Sequence, residues 1–295
     1  FPWSVAFLNV QQENDFVENC FETTPGRNLA IWGLDQDFIG STGWTLERML
    51  QTSPGPQSLA AIHVMQHDEQ AAEMEAVKTG NVAKLYLFTS TDAQMQNAAA
   101  AILADGTPAT QKMFQGMEHS RKVYQLQQTD PSTANLLRIT LLDQAFLANY
   151  HAASRPPSSQ RILAKFGDTH MYRGMNEMHQ LNLGDFLAEL ADGEGTNSLH
   201  ILVLGVEGEH VMYGPYGKPP VHFQAVTDQD KSYRWLKTAV DARSEVAPDG
   251  PWTLYDLRQL RYRRLEGLTP DWERVIYGYD FLVLIPRLTP AHLLQ

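Results

Sequence analysis

Residues 166–176 read Phe-Gly-Asp-Thr-His-Met-Tyr-Arg-Gly-Met-Asn and gather the chain's densest set of chemically able side chains. His170 is the candidate acid–base group, because an unperturbed imidazole titrates near neutrality. Asp168 can orient that imidazole or a water. Arg173 can hold a carboxylate, a phosphate or a developing oxyanion. Tyr172, beside it, joins the candidate substrate contacts. The competing reading is a plain turn in which Asp168 and Thr169 cap the following segment.

A second group follows an apolar run at 28–35. Asp35 stands where a carboxylate can face a crevice at a strand end, with Gln36 as a substrate contact. Asp37 is expected to cap a helix beginning near Phe38. His63 and His67 are four apart on an expected helix, a spacing that can bind zinc. No Glu follows the first of them, and the surrounding polarity favours a solvated face. No resident metal or cofactor is expected. Cys20 is the chain's one cysteine, so an internal disulfide and a CxxC site are both excluded. Its acidic neighbours would raise a thiol's pKa, which argues against a catalytic thiolate. The chain has no G-x-S-x-G elbow, no P-loop and no G-x-G-x-x-G.

These groups need elements to hold them. Apolar runs at 28–35, 161–167, 199–205 and 280–286 have strand length and little alternation. That pattern suits strands covered on both faces, as in a parallel sheet between helices. Residues 84–89 fit either a short strand or a helix end. A short helix is expected at 184–191, and a helix basic on one side at 256–266. His200 falls inside the third run, as a core or edge residue. From about 92 to 154 the sequence is helical. A break at Asp130-Pro131-Ser132 is followed by Leu136, Leu137, Ile139, Leu142, Phe146 and Tyr150 at helical spacing. The expected architecture is therefore an α/β fold, a mostly parallel central sheet covered by helices, with a helical cap inserted at about 90–154 in a single domain spanning 1–295.

Composition bounds the function. The 295 residues are 43% hydrophobic and 10% aromatic, which excludes a disordered or fibrous chain. The formal net charge of −11 argues against general nucleic-acid binding and against docking on anionic membranes. No apolar stretch is long enough for a membrane span. A small-molecule substrate is the expected partner. The opening Phe-Pro-Trp-Ser-Val has neither Met nor a basic leader, so the chain is expected to start after a removed segment or inside a longer protein. Cytoplasmic, periplasmic and secreted locations all stay open, as does the oligomeric state.

Three stretches, 28–36, 161–170 and 278–291, resemble the erythromycin esterase-like family, within a wider group that includes the ChaN-like and TraB-like proteins. The resemblance lies in a strand ending in Gly-x-Asp, a long helical region, a strand leading to a His-Asn-x-His type loop, and a late apolar strand introduced by an aromatic residue and Asp. It implies a metal-independent hydrolase that activates water against an ester, lactone or amide, with a helical cap over the sheet. Carried over by position, His170 matches the loop's second His, Asp168 falls at its Asn, and Asp35 matches the Asp after the first strand. Gly167 stands where the loop's first His would be, and the family's Gly-Glu-x-x-His motif has no counterpart. The resemblance thus implies that part of the catalytic apparatus lies upstream of this sequence. The alternative reading is a non-catalytic protein on the same fold that binds a small ligand or haem.

Overall fold

The computed structural model describes residues 10–23, 29–153, 160–218, 221–224, 250–263 and 268–292. The chain divides into two compact units. One comprises Phe1–Leu142, Tyr213–Val221 and Ala291–Gln295, the other Asp143–Met212 and His222–Pro290. The fold is mixed α/β, as the sequence predicts.

The regular structure described in the first unit is mainly helical: α1 Gln11–Thr23, α2 Thr42–Leu50, α3 Pro56–Thr79, α4 Tyr86–Thr89, α5 Asp92–Asp105, α6 Pro108–Thr129 and the start of α7 Pro131–Ala152. Local chemistry sets these boundaries. Pro56 and Pro108 occupy first-turn positions, where a missing N–H costs nothing. Thr91 and Gln94 form a reciprocal capping box at the start of α5. α3 stops at Gly80, whose φ of +67° is the left-handed conformation of a helix C-cap. Leu46, Met49, Ile62, Met65, Leu87, Ile102, Phe114 and Met117 form the core. Burying each such side chain stabilises the fold by roughly 1.5–3 kcal/mol.

One carboxyl in this unit works against its neighbours. Burial, then Glu73 and Glu47, push the Glu69 carboxyl up to about 7. A carboxyl raised in the folded state binds a proton that the unfolded chain releases, so its contribution is favourable at low pH and declines as pH rises toward 7. Glu69→Gln is therefore expected to raise the melting temperature at pH 8 and leave it nearly unchanged at pH 4, below the unfolded carboxyl's pKa. Equal effects at both pH values would count against this balance.

The second unit carries a four-stranded sheet in the order β2-β1-β4-β3. Its strands are β1 Ile201–Met212, β2 Val221–Gln224, β3 Thr253–Asp256 and β4 Phe281–Leu288. β1 and β4 run parallel, with Leu202 opposite Leu282 and Leu204 opposite Leu284. β3 runs antiparallel on the far side of β4, with Asp256 opposite Phe281. These four leucines are buried, while Ile201, Val203 and Leu254 are exposed. The covered face packs with Trp272, from α10 Pro270–Gly278, and with Tyr172, Leu257 and Tyr279. The unit also holds the end of α7, α9 Leu183–Gly193 and the four-residue turn α8 Asp168–Met171.

Two of the four expected strands form, β1 and β4. The other two do not. Residues 29–34 have no regular structure (Asn28 lies outside the described residues), and neither do residues 161–167. Leu29, Ile31, Ile162 and Leu163 are exposed, so neither run has the layer on each face that its hydrophobicity suggested. Residues 84–89 resolve as helical, with a 3₁₀ turn at Val82–Lys84 leading into α4. The expected helix at 256–266 is replaced, over its described part, by the end of β3 and a 3₁₀ turn at Leu257–Leu260. Asp256 caps that turn by accepting the Arg258 N–H. The helices at 92–152 form as read, but α2 and α3 show that the helical part begins well before residue 90. No helix among the described residues is long and apolar enough to cross a membrane.

Candidate functional site

The residues with the richest chemistry lie on α8 and the bend that follows it. Gly167, in extended conformation, starts the turn, and its carbonyl accepts the His170 N–H at 3.0 Å. A single helical turn leaves carbonyls that need donors from elsewhere. Three elements supply them. The Tyr279 hydroxyl donates to the Asp168 carbonyl. The Asn182 side chain donates to the Thr169 carbonyl at 2.6 Å. The His200 Nδ1 donates to the Met171 carbonyl at 2.6 Å. The Arg173 N–H then reaches the Gly278 carbonyl at 3.0 Å. Gly184 lets α9 come this close, since a Cβ there would lie 2.4 Å from the Met171 carbonyl.

His170 is half-buried on this clamped turn, and Asp168 is exposed beside it. Asp168 Oδ1 also accepts the Thr169 N–H at 2.8 Å, but Gly167 holds the N-cap position and no side chain caps the turn. Tyr172 is a core residue, its ring edge-on to Tyr279 at 6.3 Å and its hydroxyl on the Met175 carbonyl at 3.3 Å. The Arg173 guanidinium grips Asp280 through two hydrogen bonds of 2.9 and 2.8 Å. Asp280 is buried and also takes the His200 N–H at 3.0 Å and the Arg261 guanidinium at 3.3 Å. Burial alone would raise the Asp280 carboxyl. The hydrogen bonds from Arg173 and His200 and the charges of Arg173 and Arg261 outweigh it and bring the carboxyl down to about 2.

His200 explains its own tautomer. Burial lowers its pKa, Arg173 adds to that, and the Met171 carbonyl and Asp280 oppose. The neutral ring puts its proton on Nδ1, facing the Met171 carbonyl, and leaves Nε2 as acceptor for Ser198 Oγ at 3.2 Å. His200 precedes β1 rather than lying within it.

Asp35 and Gln36 belong to the helical unit. The Arg138 guanidinium of α7 pairs with both Asp35 carboxylate oxygens, through Nε at 2.8 Å and through Nη2. The Gln36 N–H donates to Asp35 Oδ1 at 2.9 Å, and the Gln36 Oε1 is buried. Asp37 does not cap a helix, because α2 begins at Thr42. Its N–H instead donates to Ser120 Oγ at 2.8 Å, and its carbonyl accepts the Tyr124 hydroxyl at 2.9 Å. Burial raises the Asp37 carboxyl above its ordinary value, with Ser120 opposing. Asp168, His170, Tyr172 and Arg173 are thus gathered on one short stretch of one unit, while Asp35 and Gln36 sit in the other.

His63 and His67 lie on an exposed face of α3, near Gln66 at 3.1 Å and Asp68 at 3.4 Å. Among the described residues, no group of three or more His, Cys, Asp or Glu is placed to hold a metal ion. Sequence reasoning gave Asn182 and Arg138 no role, and used Tyr279 and Asp280 only as the aromatic residue and Asp that introduce the late strand, without assigning them to the site. For Asp280 a signal existed, a lone carboxylate at the mouth of an apolar strand.

No protein-family model matches the chain, and no curated protein sequence matches it. Two solved structures resemble it. One is a mutant of the erythromycin esterase EreC in its open conformation, 11% identical, matched over 96% of this chain and 74% of that one, with a TM-score of 0.56. The other is a succinoglycan biosynthesis protein, 13% identical over 97% of this chain and 72% of that one, with a TM-score of 0.49. The first likeness establishes a shared α/β fold.

Proposed function

We propose that the protein is a hydrolase that acts on an ester, lactone or amide, with His170 as its acid–base group. The clamped α8 turn carries this reading. Donors from Tyr279, Asn182 and His200 fix three carbonyls of one turn, and His170 on that turn is half-buried. Positioning of this kind is what proton transfer to a bound substrate requires. The fold shared with erythromycin esterase supports the reaction class. Asp168 orients the imidazole or the attacking water. Arg173, neutralised by Asp280, positions the chain leaving α8 and places a dipolar ion pair behind the turn.

The test is hydrolysis of a panel of nitrophenyl esters, aryl lactones, anilides and erythromycin by the purified chain. Turnover of at least one member is expected, with His170→Ala slowing it by about 10²-fold, the scale of a lost acid–base group. Circular dichroism would show the variant folded. A wild-type protein inert on every member, or a His170→Ala variant as fast as wild type, would overturn the proposal. Asp168→Asn is expected to slow the same reaction by about tenfold and to shift its pH profile, as loss of an orienting carboxylate does. An unshifted profile would remove Asp168 from the site.

A further inference from the structure

The helical unit holds a hollow of about 490 Å³, lined by Arg48, Gln51 and Thr52 from the end of α2 and by Ala109, Lys112 and Met113 from α6. Both charged side chains in this lining are cations. The Arg48 Nη1 donates to the Gln51 amide oxygen at 2.9 Å, and the guanidinium lies 5.9 Å from the centre of the Trp44 ring. Lys112 forms no ion pair among the described residues. In a chain with formal charge −11, carboxylates outnumber cations. Two cations that form no ion pair among the described residues, lining one hollow, therefore create a local field opposite to that of the whole protein. Ala109 and Met113, one turn apart on α6, supply an apolar wall.

We propose that this hollow is a binding site for a small phosphate monoester carrying a short apolar group. A phosphate monoester has a charge of about −1.5 to −2 near neutral pH, which two cations match and one carboxylate would not. Arg48 offers its planar fork to the phosphoryl oxygens, and Lys112 acts as a point charge. Met113 and Ala109 take the apolar group. The site lies wholly within the helical unit and is independent of the hydrolase proposal.

Calorimetric titration of the full chain at low salt would use hexyl phosphate, inorganic phosphate, hexanoate and hexanol as probes. Saturable binding is expected for hexyl phosphate, weaker binding for inorganic phosphate and hexanoate, and none for hexanol. Replacing both cations, Arg48→Gln with Lys112→Gln, is expected to weaken hexyl phosphate binding about a hundredfold, about tenfold for each cation removed. Lys78→Gln removes a cation that pairs with Glu75 at 3.7 Å and should change nothing. The proposal is overturned if hexyl phosphate fails to saturate. It is also overturned if hexanoate binds as tightly as hexyl phosphate, or if the double variant binds like wild type.

Discussion

Asp280→Ala is expected to lower the stability of the sheet unit by about 3–5 kcal/mol, because it leaves buried charges without their partner. Asp280 has 5% of its surface exposed and accepts from Arg173, Arg261 and the His200 N–H at once. Removing it strands two guanidiniums that are themselves three-quarters covered. The readout is the urea midpoint at constant m. A loss under about 1 kcal/mol would mean that water solvates both cations well enough, and that the cluster is a surface feature. The pH dependence gives a second check. The folded carboxyl sits near 2, below the ordinary Asp value of about 3.9. Its contribution is therefore complete above the unfolded pKa and is lost as pH falls through the folded one. The gap between wild type and Asp280→Ala should stay constant from pH 7 to about 4 and close as pH approaches 2. Asp280→Asn keeps the shape without the charge and should fall between the two.

That cluster also shows why the sequence revealed only part of the site. His170, Asp168 and Arg173 fall within six consecutive residues, and their types alone suggest chemistry. What holds them comes from far along the chain: Asp280 is 107 residues from Arg173, and Tyr279 is 111 from Asp168. No local spacing encodes such pairings. Asp35 is similar, since its partner Arg138 lies 103 residues away on a helix read only for its apolar side. Strands were legible where hydrophobicity coincided with a parallel neighbour, as in β1 and β4. The runs at 29–34 and 161–167 carry the same kind of composition without becoming strands. Leu163 is 81% exposed, so its apolar character does not report burial. Hydrophobicity says that a segment gains by being covered. It does not say whether the fold provides a strand edge beside it. Helices were easier, because caps such as Thr91 with Gln94 and starts such as Pro131 are local signals.

Trp272→Ala is the second change with a large expected effect, about 3–5 kcal/mol of stability, the range for losing a buried Trp. Trp272 is 1% exposed and packs in the cluster with Tyr172, Tyr279, Leu282 and Leu284 beneath the sheet. Its own helix is fixed by Thr269, whose hydroxyl accepts the Trp272 N–H at 3.3 Å, so the backbone does not readily close the gap. The cavity would open next to Tyr279, whose hydroxyl holds the Asp168 carbonyl. Loosening that ring should loosen the α8 turn, so the turnover of the proposed hydrolase reaction is expected to fall by more than the unfolded fraction accounts for. Trp272→Phe fills most of the volume and should cost about half as much as the Ala variant. A dry apolar cavity accepts an apolar guest. Excess indole should therefore raise the urea midpoint of Trp272→Ala and leave that of wild type unchanged, since binding to the folded state alone adds stability by mass action. An Ala variant within about 1 kcal/mol of wild type would show that the surrounding side chains collapse into the space. A midpoint indifferent to indole would point the same way.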